Sequence, residues 1–241
     1  MLLFVGDAIT SLVFGAVALV WLPEGTRTPR GEERRGEATR ALLRDRSFLR
    51  VLLATGLAAF VYFQSQGTFP LRVFDLGFSP ATFGLLISLN GLLIMVFELG
   101  FTVVTRRFRA RPVMAVGYVL IGVGFALTGL ADTVPLLALT VVIWTLGEIV
   151  EGPVSASYTA EIAPERLRGR YVGARSFVFA LALVLAPSVG TAVYASAPGV
   201  LWVGCLVLGV LAAALVLPGR DQAVEPAPGG ARPAAPDAEP P

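Results

Sequence analysis

Long apolar stretches alternate with short polar connections along most of the chain. A helix that crosses a membrane needs about 20 predominantly apolar residues. Seven stretches meet this condition, and they are named A to G in chain order: 2–22, 48–70, 79–104, 112–131, 134–158, 171–195 and 198–217. The pattern therefore predicts an all-α integral membrane protein with seven transmembrane helices.

The composition agrees with a lipid environment and excludes several kinds of chemistry. Of the 241 residues, 55% are apolar and 15% are charged, and the mean hydropathy is +0.75. Histidine and lysine are both absent and Cys205 is the single cysteine, which removes the usual general base, the Schiff-base amine and a disulfide. No glycine-rich phosphate loop is present. We expect no enzyme, no cofactor, no metal site and no nucleic-acid partner.

The arginines predict the orientation of the helices, because loops that stay on the cytoplasmic side retain basic residues. The A/B, C/D and E/F connections and the C-terminal tail, with their flanks, hold 18 of the 19 arginines. Arg72, in the B/C connection, falls on the other side. The N-terminus is therefore expected outside, and the C-terminus in the cytoplasm.

Two polar segments flank the apolar core. The stretch 23–47 mixes arginine with glutamate and aspartate, and it is predicted to be a cytoplasmic linker ending in a short amphipathic helix around 41–46. The tail 218–241 is rich in proline, alanine, glycine and glutamate and is expected to be disordered.

The connection between E and F carries the most informative motif, Ala-Glu-Ile-Ala-Pro-Glu-Arg-Leu-Arg-Gly-Arg-Tyr-Val-Gly at 160–173. It resembles the connection between the tenth and eleventh helices of drug-efflux transporters of the major facilitator superfamily. Pro164 is expected to stop helix E, Gly169 to allow a tight turn, and Glu161 to pair with Arg168 or Arg170. These residues are candidates for a conformational loop.

The C/D turn is similar to a weaker copy of another loop of this family, Gly-x-x-x-Asp-Arg-x-Gly-Arg-Arg. Here Arg106 stands in place of the aspartate and Arg109 in place of the second glycine, with Arg107 between them. Arg106 and Arg107 join the candidates for the conformational loop, but the missing aspartate favours a basic turn that anchors the helices.

The resemblance implies a fold, a location and a function. Segments B to G would form the C-terminal six-helix bundle (48–217), and A (1–22) would be the last helix of a missing N-terminal half. The chain would then lie in the bacterial plasma membrane as part of a secondary active transporter. Such a protein exchanges a small molecule, with lipophilic drugs as a candidate class, for protons by alternating access. The alternative is a non-transporting scaffold or subunit that pairs with a separate half.

Ionisable side chains inside a membrane are costly and usually face a cavity or a partner. Glu148 and Glu151 in helix E lie three residues apart on one face, and two such carboxylates repel when both are ionised. We predict a proton-coupling site there, with Glu148 as the first candidate. The alternative is bonding between helices, to Arg175 or to a hydroxyl. For Asp7 and Glu98, near helix ends, we favour contact with water or head groups.

Polar and aromatic side chains of helices B and E complete the list of candidates. In this family the corresponding helices line the central cavity, which places Gln64, Gln66 and Trp144 among its possible wall residues. Two interpretations stay open for each: the glutamines either line the substrate route or cross-link helices, and Trp144 either faces a lipophilic cation or packs in the core.

Overall fold

A computed structural model describes residues 2–21 and 35–218 of the chain. Within this part the secondary structure is helical: α1 (Leu2–Trp21), α2 (Arg35–Arg44), α3 (Arg46–Tyr62), α4 (Thr68–Asp75), α5 (Pro80–Thr105), α6 (Ala110–Thr128), α7 (Val134–Ile162), α8 (Arg168–Ser196) and α9 (Pro198–Val216). Short 3-10 turns occupy Phe63–Ser65 and Glu165–Leu167. Within the described part, residues 2–21 and 35–39 belong to one compact unit and residues 40–218 to another.

Six helical segments of the described part are long and apolar enough to cross a membrane: Arg46–Asp75, Pro80–Thr105, Ala110–Thr128, Val134–Ile162, Glu165–Ser196 and Pro198–Val216. They coincide with the predicted segments B to G to within a few residues. Segment A corresponds to helix α1, whose apolar stretch Ala8–Val17 is shorter. The seventh span therefore stays a prediction.

Capping residues explain several helix boundaries. The Ser79 hydroxyl accepts a hydrogen bond from the Thr82 amide at 3.3 Å, and Pro80 fits the first helical position of α5 because it lacks an amide hydrogen. Asp45 caps α3 by accepting from the amides of Ser47 and Phe48 at 3.1 and 3.0 Å. This cap separates α3 from α2.

Two details differ from the sequence-based expectations. The linker helix spans Arg35–Arg44 instead of 41–46, because Asp45 starts a new helix at Arg46. Gly169 lies in the first turn of α8 and makes no tight turn, so that prediction is wrong. Among the described residues the glycine with a positive φ is Gly77, between α4 and α5. Helix α7 does end at Ile162, just before Pro164, as predicted.

Helix α6 packs extensively against both α7 and α9. Its glycines permit this approach: a Cβ atom on Gly124 would lie 2.7 Å from the Trp144 backbone nitrogen, and one on Gly122 would lie 3.0 Å from Gly209 Cα. Helix α5 packs on α7, while α3 packs on α8 and α9. Small residues thus bring the central helices into backbone contact.

Hydrogen bonds define the two ends of the bundle. At the arginine-rich end, Arg111 at the start of α6 bonds to Val216 at the end of α9 and to Ser47 at the start of α3. At the opposite end, Arg72 donates to the carbonyl oxygens of Gly129 and Ala131 just after α6, at 3.2 and 3.0 Å. Arg72, the one arginine of this end among the described spans, therefore caps a helix C-terminus.

Candidate functional site

Helix α7 carries both predicted carboxylates in its middle part, and Glu148 contacts two neighbouring helices. The Tyr62 hydroxyl at the end of α3 donates to Glu148 Oε1 at 2.8 Å, and the Asn90 amide of α5 donates to Oε2 at 3.0 Å. The Asn90 amide also reaches Thr145 Oγ1 at 3.0 Å. A hydroxyl on a neighbouring helix was one of the predicted alternatives for Glu148, and the structure shows that bond.

The Tyr62 ring is itself held by aromatic packing. It lies edge-on to Trp144 at 6.1 Å between ring centroids, and Trp144 stacks on Phe125 of α6 at 5.4 Å. Trp144 is 1% exposed, and its indole nitrogen has no hydrogen-bond partner among the described residues. Of the two interpretations of Trp144, the structure therefore shows packing in the core, with Tyr62 between it and Glu148.

Glu151, one turn further along α7, has different surroundings. Its side chain lies against Gly117 of α6, where an added Cβ atom would come within 2.5 Å of Glu151 Cβ. Its Oε2 atom is buried and has no hydrogen-bond partner in the described part. The electrostatic interactions of this carboxylate are attraction to Arg175 of α8 and repulsion from Glu148.

Arg175 and Tyr118 interact electrostatically with Glu151, and each is hydrogen-bonded to a further polar side chain. Arg175 Nε donates to Ser155 Oγ of α7 at 3.3 Å, and the guanidinium lies 5.9 Å from the centre of the Phe179 ring. The hydroxyls of Tyr118 (α6) and Thr55 (α3) lie 3.0 Å apart. The site thus places one arginine and two carboxylates within a polar patch of the bundle interior.

The glutamines of the first span have separate roles in the packing. Its helix is interrupted at Phe63–Ser65, and the Gln64 amide donates to the Ala186 carbonyl of α8 at 3.2 Å and accepts from the Thr68 hydroxyl at 3.0 Å. Gln64 is 0% exposed, so the structure shows it cross-linking helices. Gln66 is exposed, and it remains a candidate for the substrate route.

The motif of the E/F connection joins α7 to α8 in a different way than expected. Arg168 Nε donates to the Ala160 carbonyl at 3.1 Å, and the Glu161 side chain is exposed, so its pairing with Arg168 or Arg170 stays a prediction. The Tyr171 hydroxyl donates to Asp45 Oδ2 at 2.9 Å, which connects the start of α8 to the cap of α3.

The C/D turn holds an arginine that sequence reasoning missed. Arg106 and Arg107 are exposed, but Arg111 is 2% exposed and donates to the Tyr158 hydroxyl at 2.6 Å, to Ser47 Oγ at 2.8 Å and to the carbonyls of Val216 and Pro218. Its signal in the sequence is its place directly before Pro112, at the start of an apolar segment.

The interactions of three other residues with Glu148 could be found only from the tertiary structure. Tyr62 and Asn90 lie in different predicted helices from Glu148, and nothing in their local sequence indicates that they meet it. Glu98 of α5 repels Glu148 electrostatically, although the sequence placed it near a helix end. The side chain of Asp7 lies outside the described part.

Comparison with known proteins identifies the family. The model of the Major Facilitator Superfamily matches residues 67–239. The chain is also 27% identical over 157 residues to a protein of Bacillus subtilis (strain 168) described as "Uncharacterized MFS-type transporter YqjV". That match covers 64% of this chain and 38% of the relative's length. Together with the six apolar spans of the described part, the match shows a multi-pass membrane protein, and its family points to a transporter rather than an enzyme. The chain belongs to the major facilitator superfamily.

Proposed function

We propose that the chain is the C-terminal half of a proton-coupled secondary transporter, which exchanges a small lipophilic molecule for protons by alternating access. The observation that carries the proposal is the pair Glu148 and Glu151 in the middle of a spanning helix, with Arg175 of another helix attracting the charge of Glu151. Carboxylates at this depth are costly unless they bind a proton, a cation or a partner.

A second six-helix half completes the transporter in this proposal, either as more of the same polypeptide or as a separate chain. The match spans 38% of the length of the curated relative, which supports a larger functional unit. Transporters of this architecture hold their substrate between two pseudo-symmetric halves. The bacterial plasma membrane and a cytoplasmic arginine-rich end belong to the same proposal.

The experiment compares the 241-residue chain alone with the chain reconstituted beside an N-terminal six-helix half. Both are placed in liposomes, and uptake of tetraphenylphosphonium, a lipophilic cation, is measured with and without an imposed pH gradient. We expect gradient-driven uptake only when both halves are present, and we expect none from the double variant Glu148→Gln, Glu151→Gln. Uptake that does not depend on the pH gradient would contradict proton coupling at this site, and so would uptake that the double variant retains.

The second candidate function is a non-transporting subunit. Helix α5 favours it, since apolar side chains such as Leu85, Met95 and Leu99 are 72, 74 and 80% exposed and offer a face for another membrane helix. The same liposomes decide between the two functions. A stable complex of the two halves that moves no tetraphenylphosphonium in either condition would favour the subunit.

A further inference from the structure

The two acids of α7 lie one turn apart but in opposite surroundings. Both side chains are half-buried. Both carboxylate oxygens of Glu148 accept hydrogen bonds from neutral donors, Tyr62 and Asn90. Glu151 Oε2 is buried without any hydrogen-bond partner among the described residues. Both oxygens of Glu148 thus accept hydrogen bonds, whereas one oxygen of Glu151 is enclosed and accepts none within the described part.

This difference decides which group is better suited to gain and lose a proton. Hydrogen bonds donated to a carboxylate stabilise its ionised form, so Tyr62 and Asn90 help Glu148 to keep its charge against the repulsion from Glu98 of α5. A buried carboxylate oxygen without a donor has lost its hydration and gained no hydrogen bond, which raises the free energy of the ionised form. Protonation of the carboxylate removes this free-energy cost. Glu151 is therefore the acid whose two protonation states are both accessible.

The charged and titratable groups that face Glu151 come from four helices. Arg175 of α8 attracts its negative charge, and Glu148 of α7 repels it. Tyr118 of α6 and Tyr62 of α3 are neutral phenols within electrostatic range. Arg175 is thus the cation that offsets the negative charge of an ionised Glu151. Its Nε atom donates its hydrogen bond to Ser155 Oγ and not to Glu151.

The helices that carry Arg175 and Glu151 pack mainly against different neighbouring helices. Helix α7 packs mainly on α5 and α6, while α8 packs mainly on α3. Pro153, two residues after Glu151, leaves the Ile149 carbonyl without its usual helical donor, which loosens α7 at this point. A shift of α8 against α7 would therefore change the distance between the two charges without disrupting the α6–α7 contact.

We infer that, in the transporter proposed above, Glu151 opposite Arg175 carries the proton while Glu148 stays ionised and binds the positive group of an organic cation. The inference rests on that proposed function and replaces the sequence-based preference for Glu148. A proton from hydronium binds the Glu151 carboxylate and leaves water and a neutral carboxyl. The site then becomes one charge less negative, and a monovalent cation at Glu148 is held less strongly. One proton thus displaces one cation.

Infrared difference spectroscopy tests the assignment on the 241-residue chain in lipid nanodiscs, as the pH is lowered from mildly alkaline to mildly acidic. We expect a protonated-carboxyl band that is lost in Glu151→Gln and retained in Glu148→Gln. Glu165→Gln, which removes an exposed carboxylate of the α7–α8 connection, measures the contribution of surface acids. Glu151→Asp keeps a carboxyl group at the site and should restore the band, and circular dichroism checks that each variant is folded.

A band that vanishes in Glu148→Gln and persists in Glu151→Gln would overturn the inference, as would a band that neither substitution changes or no band at all. Because this measurement requires no transport, a negative result leaves the proposed function standing. Conversely, two folded halves that move no cation would refute the proposed function even if Glu151 binds the proton.

Discussion

The two sides of helix α7 are built in contrasting ways. On the α6 side, backbone meets backbone at Gly117 and Gly124, and Arg111 donates hydrogen bonds to α7, α9 and the start of α3. On the α8 side, Arg175 makes one hydrogen bond of 3.3 Å within the part that the structure describes, and it attracts Glu151 by charge. The two side chains are chemically identical, but Arg111 donates several hydrogen bonds within the described part and Arg175 donates one.

The contrast separates what holds the bundle together from what can change during transport. Each hydrogen bond to a charged group contributes about 1.5–3 kcal/mol, so a buried arginine with several of them is fixed in place. An arginine held mainly by charge can exchange partners as its helix moves. We therefore assign rigidity to the α6–α7 side and adaptability to the α7–α8 side.

The largest expected effect is on the backbone contact between α6 and α7. Gly124→Val would push a branched side chain into the Trp144 backbone, and overpacking of this kind costs about 3 kcal/mol or prevents folding. The measurement is the free energy of unfolding in detergent, followed by circular dichroism. Gly204→Val on α9 is the matched control, because a Cβ atom there meets nothing within 4 Å. Equal stability of the two variants would contradict the rigid contact.

A somewhat smaller loss is expected at the arginine-rich end. Arg111→Gln removes donors from Tyr158, Ser47 and the end of α9, and it should lower the free energy of unfolding by about 2 kcal/mol. Arg109→Gln changes an exposed arginine two residues earlier and should be neutral. If both substitutions shift the unfolding midpoint alike, Arg111 is a surface charge like its neighbour.

The smallest effect is expected at the adaptable site. Tyr62→Phe removes the hydroxyl that donates to Glu148 but retains the ring, so affinity for tetraphenylphosphonium in the two-half transporter should change by about fivefold, equivalent to about 1 kcal/mol. Tyr194→Phe removes a bond of the same 2.8 Å length, to Asp75 at the other end of the bundle. That control should leave the affinity unchanged. Identical affinities of wild type and Tyr62→Phe would remove Tyr62 from the site.

The sequence predicted the helices better than it predicted their contacts. Segments B to G follow from apolar length, since lipid imposes one simple rule on each span. The break at Phe63–Ser65 was missed because segment B was bounded by its overall apolar length, although the polar stretch Gln-Ser-Gln-Gly at 64–67 lies inside it. Hydropathy indicates that a residue lies in the membrane, but it does not indicate which side chains of other helices the residue contacts.

The candidate site shows the same limit. Glu148 and Glu151 could be singled out because charges inside a span are costly, and their shared face follows from helical periodicity. Their different roles depend on Tyr62, Asn90 and Arg175, which come from three other helices. Only the packing of those helices determines which acid receives hydrogen bonds and which does not.

One comparison tests the central claim most directly: uphill transport and energy-independent exchange of tetraphenylphosphonium, measured for Glu151→Gln and Glu148→Gln in the reconstituted two-half transporter. Glu151→Gln keeps the cation-binding carboxylate but cannot cycle a proton, so exchange should persist while accumulation driven by a pH gradient is lost. Glu148→Gln should lose both activities. Undiminished uphill accumulation in Glu151→Gln would contradict the account.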